Sequence, residues 1–397
     1  MSHWVEKRLG DIIHINPSSL SSNHNGTIQY IDISSVSQGH MLGCTEYEFS
    51  EAPGRARRKI KQGDTIISTV RPNLRAYWYV RACHDNAIVS TGFAVIRAKG
   101  ENNSRFIYYL LTERSFIDYL SLVAKGSNYP AVDTNDFKRA KVTVPCLPTQ
   151  TRIVNILSAY DDAIENNHRR IALLEKAARE LYQEWFLRFR FPGHESVKIV
   201  DGLPEGWKAE KLDGMVGVGR GSSPRPITDE KYFSNGSIPW IKIADATKST
   251  KFIFETKEKV NEYGASFSRK LPVGSMIIAA SGTLGFPMFL GVEGCIHDGW
   301  MYFFDIKKIT KEYLYFVLLF MGQYYNSISY GAAIQNINTD IIRKSKVIVP
   351  AQNILNQFTS AVSDIDSLIQ NLLRQSQNLA RQRDLLLPRL MSGKLEV

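Results

Sequence analysis

From Ile153 onward the apolar residues recur in alternating steps of four and three: Ile153, Leu157, Tyr160, Ile164, Asn167, Ile171, Leu174, Ala178, Leu181 and Trp185. A second run keeps the same steps through Phe358, Val362, Ile365, Ile369, Leu372, Ser376, Leu379, Arg383, Leu386 and Leu390. A repeat of about 3.5 residues predicts two long helices, each with one apolar seam. Glu165, Arg169, Arg170, Glu175, Lys176, Arg179, Glu180 and Glu184 give the first helix a solvated flank. If the helices instead lay separately on their own domains, part of each seam would stay uncovered. Paired seams bury both, at roughly 1.5–3 kcal/mol per Leu or Ile, so an antiparallel coiled coil is expected. Asn167, Ser376 and Arg383 interrupt the seam, a way of fixing register at some cost in stability.

Ahead of each helix the pattern changes to short β-branched and aromatic runs. In the first half these are Tyr30 to Ile33, Thr65 to Val70, Tyr77 to Val80 and Gly92 to Ile96, punctuated by Gly, Asn and Asp. They predict strands. Phe106, Tyr109, Leu110, Ile117 and Leu120 have helical spacing and predict one helix over 104–120.

The chain is also written twice. Gly126 to Thr134 (GSNYPAVDT) is echoed by Gly331 to Thr339, and Lys141 to Pro145 by Lys346 to Pro350, both 205 positions on (126 to 331, 145 to 350). Arg58 to Ile67 is answered by Arg269 to Ile278, now 211 positions on (58 to 269), so the copies differ by insertions and deletions in their loops. A unit present twice implies two similar bodies, each followed by the same kind of helix. The expected architecture is α+β. A mixed domain occupies residues 1–148, a long helix 149–190, a second mixed domain 191–350 and a second long helix 351–397. Antiparallel pairing of the helices would relate the halves by a pseudo-two-fold axis.

Charge adds a partner to this picture. Lys and Arg number 49 against 39 Asp and Glu, a net charge of +10, and the pI is near 9.3. That balance favours a polyanion, and two similar bodies suit double-stranded DNA. Cys44, Cys83, Cys146 and Cys295 are scattered, without metal or disulfide spacing; they read as reduced thiols of a cytoplasmic protein. The N-terminus has no signal-peptide run. The most apolar stretch, Tyr313 to Met321, is half the roughly 20 residues that span a bilayer and predicts a buried helix.

Between Arg55 and Arg81 eight basic residues face one acid, Asp64. Arg71, Asn73, Arg75 and Tyr77 lie on a Pro-Asn turn joining two strand signals, and Arg57, Arg58 and Lys59 precede it. Guanidinium and amide groups read guanine and adenine edges, whereas hydroxyls suit phosphate or base. In the second half the counterparts are Arg220, Ser222 and Arg225, together with Ser281 and Thr283 on the matching turn. These twelve residues are the DNA-binding candidates. No catalytic set emerges: Gly217 to Gly221 lacks the setting of a nucleotide loop, and no phosphate-loop lysine or Asn-Pro-Pro-aromatic motif occurs. His297-Asp298 and Cys83-His84-Asp85 read as surface turns. No enzyme activity, metal or cofactor is expected.

Three further stretches carry a resemblance: Leu181 to Gly193 (LYQEWFLRFRFPG), Leu203 to Trp207 (LPEGW), and Leu385 to Leu395 (LLLPRLMSGKL). With the doubled layout they make the whole chain similar to the specificity subunit of type I restriction–modification systems. The resemblance implies a non-catalytic reader whose two target-recognition domains each recognise half of a split DNA target, with the helices setting the spacer. It also implies two methyltransferase subunits docked on the helical region, and allows two motor-nuclease subunits besides. Trp185, Phe186, Leu387 and Leu390 are the expected docking points; the alternative is that they close the ends of the helix pair. Pro388 departs from the first copy and should kink the second helix or end it early. A self-sufficient tandem DNA binder or helical scaffold without a methyltransferase is the second functional reading.

Overall fold

In a computed structural model the chain is described over residues 4–126, 128, 130–246, 249–280, 286–330 and 337–397, with backbone only at 323 and 326–330. It divides into two compact units, Met1–Asn166 with Gln375–Val397, and Asn167–Arg374.

The first unit holds two four-stranded sheets. One orders its strands Ile13–Ile15, Phe93–Ala98, Thr65–Ser68, Tyr77–Tyr79, all antiparallel. The other orders them Thr45–Glu48, Thr27–Ile31, Ala87–Ser90, Ala56–Lys59, and its central pair is parallel. A ribbon of Val5–Arg8 and Lys141–Val144 completes the unit. Thr65–Ser68 is buried along its whole length, because alternate side chains enter different cores. Ile66 packs with Ile31, Val89 and Phe93, and Ile67 with Phe106, Tyr109 and Leu157.

The second unit repeats this order. Gly217–Arg220, Trp300–Phe304, Met276–Ala279 and Pro287–Leu290 form one sheet, with Phe252–Ile253 added in parallel at its edge. Glu258–Val260, Ile238–Ile241, Gly294–Ile296 and Arg269–Leu271 form the other, again with a parallel centre. Lys208–Lys211 and Lys346–Val349 make the ribbon. The doubled sequence is thus a doubled topology, mixed α and β in each copy.

The expected helix over 104–120 is two helices, Ser104–Thr112 and Arg114–Val123. Glu113 takes extended dihedrals between them, and its carboxylate accepts from the Ser115 N–H at 2.8 Å. Local capping overrides the periodicity there. In the second unit the predicted buried helix lies inside Lys311–Tyr330, with Tyr313 through Leu318 buried. Among the described residues no helix is long and apolar enough to cross a membrane.

The long helices run over Leu147–Tyr182 and Gln352–Met391. Ile153, Leu157, Ile164, Ile171, Ala178, Phe358, Val362, Ile369, Leu372 and Leu390 are buried, as the seam spacing requires, and so are the polar Asn167 and Ser376. In the first unit Ile153 and Leu157 share a core with Leu386 and Leu390; in the second, Ile171 and Ala178 share one with Phe358 and Val362. The second helix does not stop at Pro388 but continues to Met391. So close to the end, proline removes a hydrogen bond from the final turns only. It is the first helix that changes, passing into a π-helical stretch over Gln183–Leu187.

Candidate nucleic-acid interface

The turn between Thr65–Ser68 and Tyr77–Tyr79 is a single 3-10 turn, Pro72–Leu74, bracketed by two left-handed residues, Arg71 (φ 47°) and Arg75 (φ 59°). Neither is glycine, so each conformation costs on the order of 1–3 kcal/mol and must be held from outside. The Arg71 N–H donates to the Pro130 carbonyl at 2.8 Å and the Arg75 N–H to the Pro72 carbonyl at 2.9 Å. Below the turn, the Thr69 N–H donates to Gly92 (2.8 Å) and the Val132 N–H to Thr69 (2.8 Å). Pro130 and Val132 of the echoed segment are therefore laced to the turn, and Arg71 Nη2 donates to the Asn128 carbonyl at 3.2 Å.

Arg71, Asn73 and Leu74 face solvent, Leu74 with 62% of its surface exposed. Arg75 is half-buried, lies over the Tyr77 ring at 5.8 Å and donates to its hydroxyl at 3.1 Å. Tyr77 is buried, at 6% exposure, and burial raises its pKa. Tyr77 thus holds Arg75 from behind.

Arg57, Arg58 and Lys59 lie on an edge strand, where side chains alternate between faces. The Arg57 guanidinium sits 4.8 Å over the Phe49 ring and donates to the Ala56 carbonyl; Lys59 is exposed. Burial lowers the Arg58 pKa, and its Nη1 has no hydrogen-bond partner among the described residues. Arg81, from the same basic run, pairs with Asp162 (2.5 Å) and Glu165 (2.7 Å) of the first long helix.

The second unit keeps the lacing. The Ala280 N–H donates to Gly299 (2.9 Å) and the Ile337 N–H to Ala280 (3.0 Å), the counterparts of the Thr69 and Val132 bonds. Ser281 and Thr283 lie outside the described residues. Arg220, Ser222 and Arg225 are exposed, and what organises them is the His297-Asp298 turn, which sequence reasoning dismissed as a surface turn. Arg220 Nε donates to the Asp298 carbonyl at 3.0 Å, Arg225 Nη2 pairs with the Asp298 carboxylate, and the Asp298 N–H donates to Ser223 Oγ at 3.2 Å. A side chain at Gly221 would place its Cβ 2.3 Å from the His297 carbonyl oxygen, so glycine is needed for this approach. Burial lowers the His297 pKa, and its Nδ1 accepts from the Gly299 N–H at 2.9 Å. These partners lie more than seventy positions away in sequence, and local spacing carried no signal of them.

Of the expected docking residues, Phe186 and Leu390 are core, at 1% and 0% exposure. Phe186 packs on Tyr313 (4.7 Å) and Phe358 (4.9 Å) in the second unit, and Leu390 joins the core of the first. Both side chains thus serve the core of their own unit. An apolar helix end is stabilised as well by its own domain as by a partner. Trp185 and Leu387 are half-buried against the same cores.

The profile of the type I restriction modification DNA specificity domain matches residues 1–176 and 204–380, one match for each copy of the repeat. The chain belongs to this family. Among curated relatives, the specificity subunit of the type I restriction enzyme HindI of Haemophilus influenzae is 25% identical with both chains covered in full. The specificity subunit of the type I restriction enzyme MjaIX of Methanocaldococcus jannaschii is 27% identical over 98% of this chain and 88% of its own. In fold, the chain is similar to the crystal structure of the type I restriction-modification S subunit from M. genitalium, at a TM-score of 0.60 and 14% identity over 98% of this chain and 96% of that one. Within the family frame the Thr69–Val132 and Ala280–Ile337 bonds follow equivalent strands in the two specificity domains.

Proposed function

We propose that the chain is the DNA-reading subunit of a type I restriction–modification complex, each unit recognising one half of an interrupted duplex target. The observation that carries this is the shared lacing beneath unlike tips. Thr69 with Val132 and Ala280 with Ile337 make the same bond, while the sequences that follow Thr69 and Ala280 read Val70-Arg71-Pro72-Asn73-Leu74-Arg75 and Ser281-Gly282-Thr283-Leu284-Gly285. One frame with two sequences is what two different half-sites require. Arg71 and Asn73, with Arg57, Arg58 and Lys59, would serve the first half-site; Arg220, Ser222 and Arg225, with Ser281 and Thr283, the second.

The chain itself carries out no chemistry in this proposal. Its long helices, paired as an antiparallel coiled coil, set the unread spacer and seat two methyltransferase subunits, Trp185 and Leu387 contributing from the helix ends. Two motor-nuclease subunits complete the restricting form, and the setting is the cytoplasm. A stand-alone DNA binder has nothing comparable to favour it, since the family match covers both halves of the chain.

The test is genetic and direct. In cells expressing the chain with the methyltransferase of its own host, methylated adenines should map to one interrupted motif. Exchanging residues 1–148 for another family member's domain should change one half of that motif and leave the other. Methylation independent of this chain, or a change in both halves, would refute the proposal.

A further inference from the structure

The first unit carries an open groove of about 1000 Å³, walled by Trp4, Leu110, Phe116, Tyr119, Val142 and Met391. The second unit shows what fills the corresponding place. Trp4 precedes the strand Val5–Arg8, and Trp207 precedes the matching strand Lys208–Lys211. Trp207 is buried to 6% exposure because three phenylalanines cover it. Phe191 stacks on its ring at 5.0 Å, Phe189 meets it edge-on at 5.7 Å, and Phe186 lies 5.8 Å away. Phe189 and Phe191 belong to the segment that leaves the first long helix. At the same 205-position shift, the segment leaving the second helix carries Lys394 and Glu396 (189 to 394, 191 to 396). This chain thus supplies an aromatic cover to Trp207, whereas Gly393 and Lys394 stand beside Trp4, which stays half-buried.

We propose that the groove beside Trp4 is a docking site for a segment of a partner protein that presents two aromatic side chains two residues apart, Phe-x-Phe, between acidic residues. The aromatic spacing comes from Phe189 and Phe191, which solve the same packing problem in the second unit. There the chain turns at Phe189 (φ 58°), which brings one ring edge-on and the other stacked onto the same tryptophan. The acidic flanks follow from the rim, where Arg139, Lys141, Arg389 and Lys394 stand against Glu113. Lys141 is paired with Glu6 at 2.9 Å, whereas Arg139, Arg389 and Lys394 form no ion pair among the described residues, so an incoming carboxylate displaces nothing. Aromatic anchors in a pocket with a charged rim are the arrangement that concentrates binding energy at an interface. The groove lies wholly within the first unit and does not depend on the reading of DNA.

The experiment is fluorescence anisotropy of a labelled peptide, Glu-Glu-Phe-Ser-Phe-Glu-Glu, titrated with the full chain. Saturable binding is expected, weakened about tenfold or more when both phenylalanines are alanine, the scale of losing one anchor pair. The double variant Arg139→Glu, Lys394→Glu lies on the exposed rim and should leave the melting temperature unchanged while weakening the peptide severalfold at low salt. Absence of saturable binding, or binding indifferent to the phenylalanines or to the rim charges, overturns the proposal. So does sedimentation showing the groove closed by a second copy of this chain that the peptide cannot displace. The DNA-reading proposal stands or falls separately, because neither rim variant touches a candidate DNA residue.

Discussion

Arg383 Nη1 lies 2.7 Å from Asp161 Oδ1, joining two residues 222 positions apart, one from each long helix, inside the first unit. The same carboxylate accepts from the Tyr109 hydroxyl at 2.5 Å, and Arg105 reaches the adjacent Asp162 at 2.9 Å. The recognition domain is thus tied to both helices through two neighbouring aspartates. Arg383→Met should destabilise this unit by roughly 2–3 kcal/mol, somewhat less than a fully buried pair. Adding Asp161→Asn should recover part of the loss. Denaturant midpoints of both variants check this; a loss under about 1 kcal/mol would class the pair with surface bridges.

The second unit places Asp366 at the equivalent helix position (161 to 366) but gives it a different cation. Lys251 Nζ sits 2.6 and 2.7 Å from its two oxygens, with Tyr315 (4.3 Å), Phe316 (5.2 Å) and Phe289 (5.3 Å) around it. Burial lowers the Lys251 pKa and raises that of Asp366, so neither charge is tolerated without the other. Lys251→Met should cost about 3–5 kcal/mol, whereas Lys251→Met with Asp366→Leu should approach the parent. Equal losses in the single and double variants would contradict this, measured by thermal unfolding.

Arg71→Ala should weaken DNA binding by about 1–3 kcal/mol and relax specificity in one half-site only. Binding to the cognate duplex and to duplexes scrambled in either half separates the outcomes. Equal loss on all of them would make Arg71 a phosphate contact.

Gly221→Ala drives a methyl group against the His297 carbonyl, and relief of that overlap should cost about 1–3 kcal/mol. Because Arg220 and Arg225 hang on the same turn, reading of the second half-site should weaken while the first is unchanged. The half-scrambled duplexes check this as well; loss in both halves would disconnect the turn from recognition.

His297 is held below its ordinary value of 6.5, first by burial and against the pull of Asp298. Its contribution to stability is therefore complete above the unfolded value and is lost as pH falls through about 6.5 toward the folded value. His297→Gln should flatten that part of the stability–pH curve. An unchanged slope between about pH 7.5 and 5.5 would show that another group carries it.

Periodic and repeated features were legible in the order of residues alone. Seam residues such as Leu157, Ile171, Val362 and Leu372 are buried where the spacing puts them, because a helix must hide a continuous stripe. The doubled motifs became a doubled strand order, since the same strand signals in the same sequence can pair in the same way. Glu113 escaped because capping is a local exception to periodicity, and Pro388 misled because a proline near the last turn disturbs few hydrogen bonds. Direction and partnership came only with the packed fold. Phe186 and Leu390 turn into their own cores and Tyr77 turns in behind Arg75, although an apolar or aromatic residue in a sequence does not say which surface will cover it. His297 and Asp298 gather Arg220 and Arg225, Lys251 finds Asp366, and Arg383 finds Asp161, all across long sequence separations. Such contacts are made by the packing of whole elements, and no local pattern encodes them.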